Sequence, residues 1–149
     1  MRLGVGSDHA GFKVKEHIRE RLSQAGYEVV DYGTYGPEST DYPIYAFRVA
    51  EAVARGEVDA GILVCGTGIG MCIAANKVRG VRGAVAWSVE TGRLAKRHNN
   101  ANVLCLPGRL LEPEEAWRVA EAWLGEEFEG GRHARRLALI ARHEEDAFC

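Results

Sequence analysis

AGILVCGTGIGMCIAANK, residues 60–77, is the stretch that decides the fold. It opens as an apolar run of strand length that ends at Cys65, and Gly66, Gly68 and Gly70 follow at alternate positions. A strand, a glycine turn and a helix in that order form the repeating unit of a parallel sheet. The glycines let the backbone turn tightly and aim its N–H groups at a ligand oxygen, and the following helix adds positive potential, so the turn reads as an anion site. The same field favours the thiolate of Cys65, which can then take a proton or attack carbon.

Further β-rich runs lie on either side: RLGVGS (2–7), YEVVDYG (27–33), RGAVAWS (82–88) and NVLCLPG (102–108). Between them the apolar residues recur with helical spacing. Val14, Ile18 and Leu22 lead to a stop at Gly26; Phe47, Ala50 and Val53 mark residues 42–55; Ala116, Val119, Ala120, Trp123 and Leu124 follow Pro113. Each such helix is expected to cover a sheet face. Right-handed crossovers then give an α/β protein, a three-layer Rossmann-like sandwich on a five-stranded parallel sheet. An extra C-terminal helix near 132–145 follows the break EGG (129–131), and its stripe of Ala134, Leu137, Ala138 and Ala141 must pack on something. No linker divides residues 1–149, so one domain is expected.

Composition narrows the function. The chain carries 19 basic and 21 acidic residues without long blocks of either sign, which disfavours a nucleic-acid partner. No apolar run reaches bilayer length and the start lacks a signal-peptide h-region, so a cytoplasmic protein is expected. Cys65, Cys72, Cys105 and Cys149 form no C-x-x-C pair and read as reduced thiols, with Cys149 a plain exposed one.

In an open parallel sheet, ligands bind outside the carboxyl ends of the strands. Three of those loops carry chemistry: SDHAG with Asp8 and His9, CGTGIG after the third strand, and PGR with Arg109. Met71 stands where a dinucleotide fingerprint needs its last glycine and where a cysteine phosphatase needs arginine, and no nucleotide P-loop is present. His98 ends the helical segment SVETGRLAKRH. It reads either as a cationic helix C-terminus or as a catalytic group. In a parallel crossover it lies opposite the Cys65 loop, so a catalytic His98 would serve a neighbouring subunit. Arg132 and Arg136 share a helix face suited to a phosphate ester, or form a solvated basic face. Asp41 reads as a helix cap. No His/Asp/Glu group has metal-ligand spacing, so neither metal nor other cofactor is expected.

Together GSDHAG (6–11), TDYP (40–43), CGTGIGMCIAANK (65–77), RHNNANVLCLPGR (97–109) and the spaced Arg132 and Arg136 resemble ribose-5-phosphate isomerase type B, a family that also holds the galactose-6-phosphate isomerase subunits. The resemblance implies metal-free interconversion of ribose 5-phosphate and ribulose 5-phosphate through a cis-enediolate. It makes Cys65 the base between C2 and C1 and gives ring opening to His98. Asp8 and His9 would bind substrate, with His9 near the phosphate. Gly66, Gly68, Ile69 and Gly70 would hold the oxyanion with help from Thr67. Asn99 would contact the sugar, and Arg109, Arg132 and Arg136 the phosphate end. A homodimer with shared sites is implied, with pairing into a tetramer left open. Two alternatives stand beside it: an isomerase of allose or galactose 6-phosphate, and a module that binds a phosphorylated ligand without converting it.

Overall fold

The computed structural model describes residues 1–148, so the reading of Cys149 lies outside the described residues. Eleven elements alternate along the chain: β1 (Arg2–Ser7), α1 (Phe12–Gln24), β2 (Glu28–Asp31), α2 (Tyr42–Ala54), β3 (Ala60–Cys65), α3 (Ile69–Ala75), β4 (Gly83–Val85), α4 (Val89–Arg97), β5 (Val103–Pro107), α5 (Pro113–Leu124) and α6 (Arg132–Phe148). The five strands form one parallel sheet in the order β2-β1-β3-β5-β4. One face carries α1, α4 and α5, whose Ile18, Leu22, Ala95, Trp117 and Trp123 pack with Leu3, Ile62 and Leu104. The other carries α2 and α3 over Leu63, Cys65, Val103 and Cys105. Among the described residues no helix is long and apolar enough to cross a membrane.

Local chemistry sets the helix starts. Ser88 and Thr91 exchange hydrogen bonds at the head of α4, and Glu112 and Glu115 do the same at α5, which satisfies amides that the helix leaves open. β1 matches its β-rich run, and the other strands are shorter than theirs. β2 stops before Gly33, whose φ of +99° lies in the left-handed region, and β4 keeps only Gly83–Val85.

Phe47 departs from expectation, because it is 39% exposed while Ala46, Val49, Ala50 and Val53 face the sheet. The reason is close approach. A β-carbon on Gly61 would lie 2.5 Å from a Val49 methyl, and one on Gly6 would lie 2.9 Å from another. At that separation only small side chains fit beneath α2, and the phenyl ring turns outward.

Lys15, a charged residue on α1, is 1% exposed. Its ammonium donates to both Asp31 oxygens at 2.9 and 3.0 Å and to Thr34 O at 2.6 Å. This ties α1 to the end of β2 and the loop beyond it.

The last helix also departs from expectation. Ala134, Ala138 and Ala141 are exposed, Leu137 is half-buried, and Leu139 and Ile140 are 60% and 59% exposed. Between α6 and the segment Gly80–Arg82 runs a groove of about 370 Å³. The stripe that had to pack is left largely uncovered within one chain.

Candidate active site

The strand order places the ends of β1, β3 and β5 side by side, so the three chemically loaded loops adjoin. The sheet reverses direction of growth between β1 and β3, the position where open α/β sheets form their binding crevice. Asp8 leaves β1 with its N–H donating to Val64 O at 3.3 Å, and its buried carboxylate accepts from Gly11 N–H at 3.0 Å. Gly11 has to be glycine: a β-carbon there would stand 2.3 Å from Val64 O. His9 accepts the Thr40 amide on Nδ1 at 3.1 Å, which leaves the ring proton on Nε2. Thr40 in turn bonds the Tyr45 hydroxyl at 3.0 Å. Hydrogen bonds from Thr34 and Thr40 hold the Tyr45 phenol below the ordinary tyrosine range.

Cys65 is 5% exposed, and its Sγ accepts the Gly68 amide at 3.2 Å. Gly68 makes this possible with φ at +79°, a conformation open to glycine and strained for other residues. Thr67 Oγ1 accepts the Ile69 amide at 3.2 Å, so its own hydroxyl hydrogen is left to donate. Two of the amides expected to face an oxyanion are therefore turned inward, one to sulfur and one to a hydroxyl. Arg109 N–H donates to Gly66 O at 3.0 Å, and its guanidinium lies over Gly66, where a β-carbon would be 3.3 Å from Nη1. Tyr42, at the head of α2, packs its ring against Gly70. The loops carrying Asp8, His9, Gly66, Thr67, Gly68, Ile69, Gly70 and Arg109 thus surround one thiol.

The remaining expected residues lie elsewhere. His98 caps the C-terminus of α4 and Asn99 follows it, at the amino-terminal edge of the sheet. With Arg136, His133, Leu137 and Ile140 they line a cleft of about 230 Å³. Arg132 is exposed at the first position of α6.

This second cluster includes two residues that the sequence reading passed over, Glu129 and His133. The His98 and His133 rings stack with centroids 4.3 Å apart and planes at 13°. Glu129 Oε1 lies 3.7 Å from His98 Nε2 and 3.5 Å from His133 Nε2. The sequence shows no metal-ligand spacing among them, but the fold brings the three together so that they could offer atoms within 4.8 Å of one another. Near-parallel imidazoles, however, direct their in-plane lone pairs alongside each other, and one ion needs them to converge. The cluster as it stands is a stack with an ion pair. The break at 129–131 and the histidine beside Arg132 were the sequence signals for it.

The model of the Ribose/Galactose Isomerase family matches residues 3–140 of this chain. Ribose-5-phosphate isomerase B of Escherichia coli (strain K12) is 46% identical over 144 residues, which covers 97% of each protein. The structure of ribose-5-phosphate isomerase B from Clostridium thermocellum superposes with a TM-score of 0.97 at 47% identity, over 99% of each chain. That of Mycoplasma genitalium ribose-5-phosphate isomerase B, solved with bound ribulose 5-phosphate, gives a TM-score of 0.93 at 44% identity, over 97% of this chain and 96% of the other.

Proposed function

The chain belongs to the ribose/galactose isomerase family, and we propose that it interconverts ribose 5-phosphate and ribulose 5-phosphate, with Cys65 as the base, in a site completed by a second copy of the chain. One observation carries the mechanism: a nearly buried sulfur, held by the Gly68 N–H at 3.2 Å, sits where the Asp8, His9 and Arg109 loops meet.

His98 opens the furanose by helping a proton leave the anomeric hydroxyl and reach the ring oxygen. The Cys65 thiolate then removes the C2 proton of the open aldose, and the electron pair moves onto O1 as the enediolate forms. A proton passes from O2 to O1, with the Thr67 hydroxyl beside the developing charge. The Cys65 thiol returns its proton to C1, which leaves the ketone at C2. A base matched to neutral pH contributes on the order of a hundredfold or more, and one pre-aimed donor about 3 kcal/mol of barrier. Arg109, with Arg132 and Arg136 from the second copy, binds the phosphate, and that remote contact orients the reacting carbons.

The geometry supports a homodimer. Cys65 pairs with Pro107 at one end of β5, whereas His98 precedes Val103 at the other. The intervening strand alone spans about 13 Å. The uncovered stripe of α6 and the outward Phe47 are surfaces that a second copy would bury.

The test is a coupled assay of ribose 5-phosphate isomerisation, run beside allose 6-phosphate and galactose 6-phosphate, for the wild type and Cys65→Ala. Conversion of the pentose phosphate that disappears in the variant is the expected result. Preference for a six-carbon ester would overturn the substrate, and undiminished turnover by Cys65→Ala would overturn the base.

A further inference from the structure

The cleft at the end of α4 holds side chains for which the mechanism above has no task. His133 is 8% exposed, and its Nε2 has no hydrogen-bond partner, yet its ring lies flat against His98. Glu129 gives one carboxylate oxygen to Arg97, from Nη2 at 2.6 Å and Nε at 2.9 Å, and turns the other towards both imidazoles. Main-chain bonds fix the same arrangement: Glu129 N–H donates to Arg97 O at 3.0 Å and His133 N–H to Gly130 O at 3.1 Å.

The turn that brings these groups together is built for that return. Gly130 and Gly131 have φ of +73° and +57°, and two successive left-handed residues reverse the chain so that the head of α6 comes back over the end of α4. For other residues each such conformation costs about 1–2 kcal/mol. The charges around the cleft are mostly basic: Arg97, Arg132 and Arg136, with Glu129 the facing acid. Burial, with Arg132, His98 and Arg136 adding to it and Glu129 opposing, lowers the proton affinity of His133.

A proton-transfer group works only from a narrow range of orientations, and a misplacement of an ångström can cost about a hundredfold. His98 sits at a helix end, about one-third exposed, where its ring would otherwise turn freely. We propose that Glu129 and His133 are positioning residues for His98: the carboxylate anchored by Arg97 and the buried stacked ring hold the imidazole in the plane from which it reaches the sugar ring of a neighbouring copy's site. This inference rests on the ring-opening role given to His98 above.

The substrates separate the two steps. Ribose 5-phosphate is a furanose, whereas ribulose 5-phosphate is acyclic because the hydroxyl that would close its ring carries the phosphate. Exchange of its C1 proton with deuterium oxide therefore needs the Cys65 base and no ring opening. For Glu129→Gln and His133→Ala, turnover of ribose 5-phosphate falls about tenfold in kcat with KM little changed, while deuterium exchange into ribulose 5-phosphate, read by NMR, stays within about twofold. His133→Phe, which keeps a flat ring, restores most of the turnover. Equal loss of both rates, or loss of neither, would overturn the inference, and Glu129→Gln decides it if His133→Ala fails to fold. His98→Asn run in parallel locates a failure. If it splits the two rates and the other variants do not, positioning alone is wrong; if it leaves turnover intact, the ring-opening role falls and takes the inference with it.

Discussion

Cys65 and His98 lie at opposite ends of one sheet. The first ends β3 beside Pro107, and the second ends α4 before β5 begins, so the two groups to which the proposed mechanism gives proton transfer and ring opening are separated within a single chain. With α6 lying beside the body and its apolar stripe uncovered, a second copy related by a two-fold axis would bring the unlike groups together twice.

Mixing inactive Cys65→Ala and His98→Ala chains tests this arrangement. In a dimer with shared sites, the mixed species has one site lacking both groups and one site intact. Equal mixing with free exchange of subunits therefore restores about a quarter of wild-type activity. Mixed dimers verified by native mass spectrometry that remain inactive would exclude shared sites.

Cys65→Ser keeps the shape of the thiol but replaces it with a poor base. Turnover of ribose 5-phosphate is expected to fall at least about a hundredfold. The melting temperature should move little, because the hydroxyl is close to the thiol in size and can accept the same Gly68 N–H. Calorimetry beside the coupled assay gives both values.

Gly70 lies so close to Tyr42 that a β-carbon would stand 2.6 Å from the ring. Gly70→Ala should displace the ring, loosen the contact between the α2 and α3 heads and cost about 1–3 kcal/mol by urea unfolding. The same displacement reaches the loop that aims Gly68 at Cys65, so kcat should fall as well.

Cys72 offers a pH-dependent readout outside the mechanism. A hydrogen bond from Cys105, with smaller help from the backbone and Asn76, brings its thiol down to about 7 against the burial that opposes ionisation. Cys105, fully buried, is raised well above the ordinary thiol range by that same bond and by burial. Alkylation of Cys72 by iodoacetamide, followed by peptide mass spectrometry, should be near its plateau at pH 8. Below about pH 7 it should slow tenfold per unit, as the thiolate takes up its proton. Cys105 should react only once the protein unfolds.

Lys15→Met removes a buried ammonium from Asp31 and Thr34 and leaves the partly buried carboxylate only the Gly33 N–H at 2.9 Å and the more distant Arg19 guanidinium at 3.8 Å. Breaking such a pair costs about 3 kcal/mol or more. Denaturant unfolding should show the loss. Lys15→Met combined with Asp31→Leu should recover part of it, since apolar packing can replace the pair.

The alternation of strands and helices, the three-layer class and the loops carrying Asp8, Cys65 and Arg109 were all legible in the residues. Each depends on short-range pattern: an apolar run, a helical period, a glycine that frees the backbone. The adjacency of those loops was not legible, because β5 slips between β3 and β4 and strand order is a property of the whole sheet. Phe47 was placed inward by its spacing, yet the distance between α2 and the glycines of β1 and β3 decided that it faces outward. Lys15 can be buried on α1 only because Asp31, at the end of β2, supplies its partner. Glu129 and His133 carried no ligand spacing relative to His98, and only the two left-handed glycines at 130 and 131 brought them together. The sequence by itself determined which local elements form and which carry reactive groups, since those follow from neighbours within a turn or two. Tertiary structure alone decided which groups meet, because contacts between distant segments depend on how closely whole layers can pack.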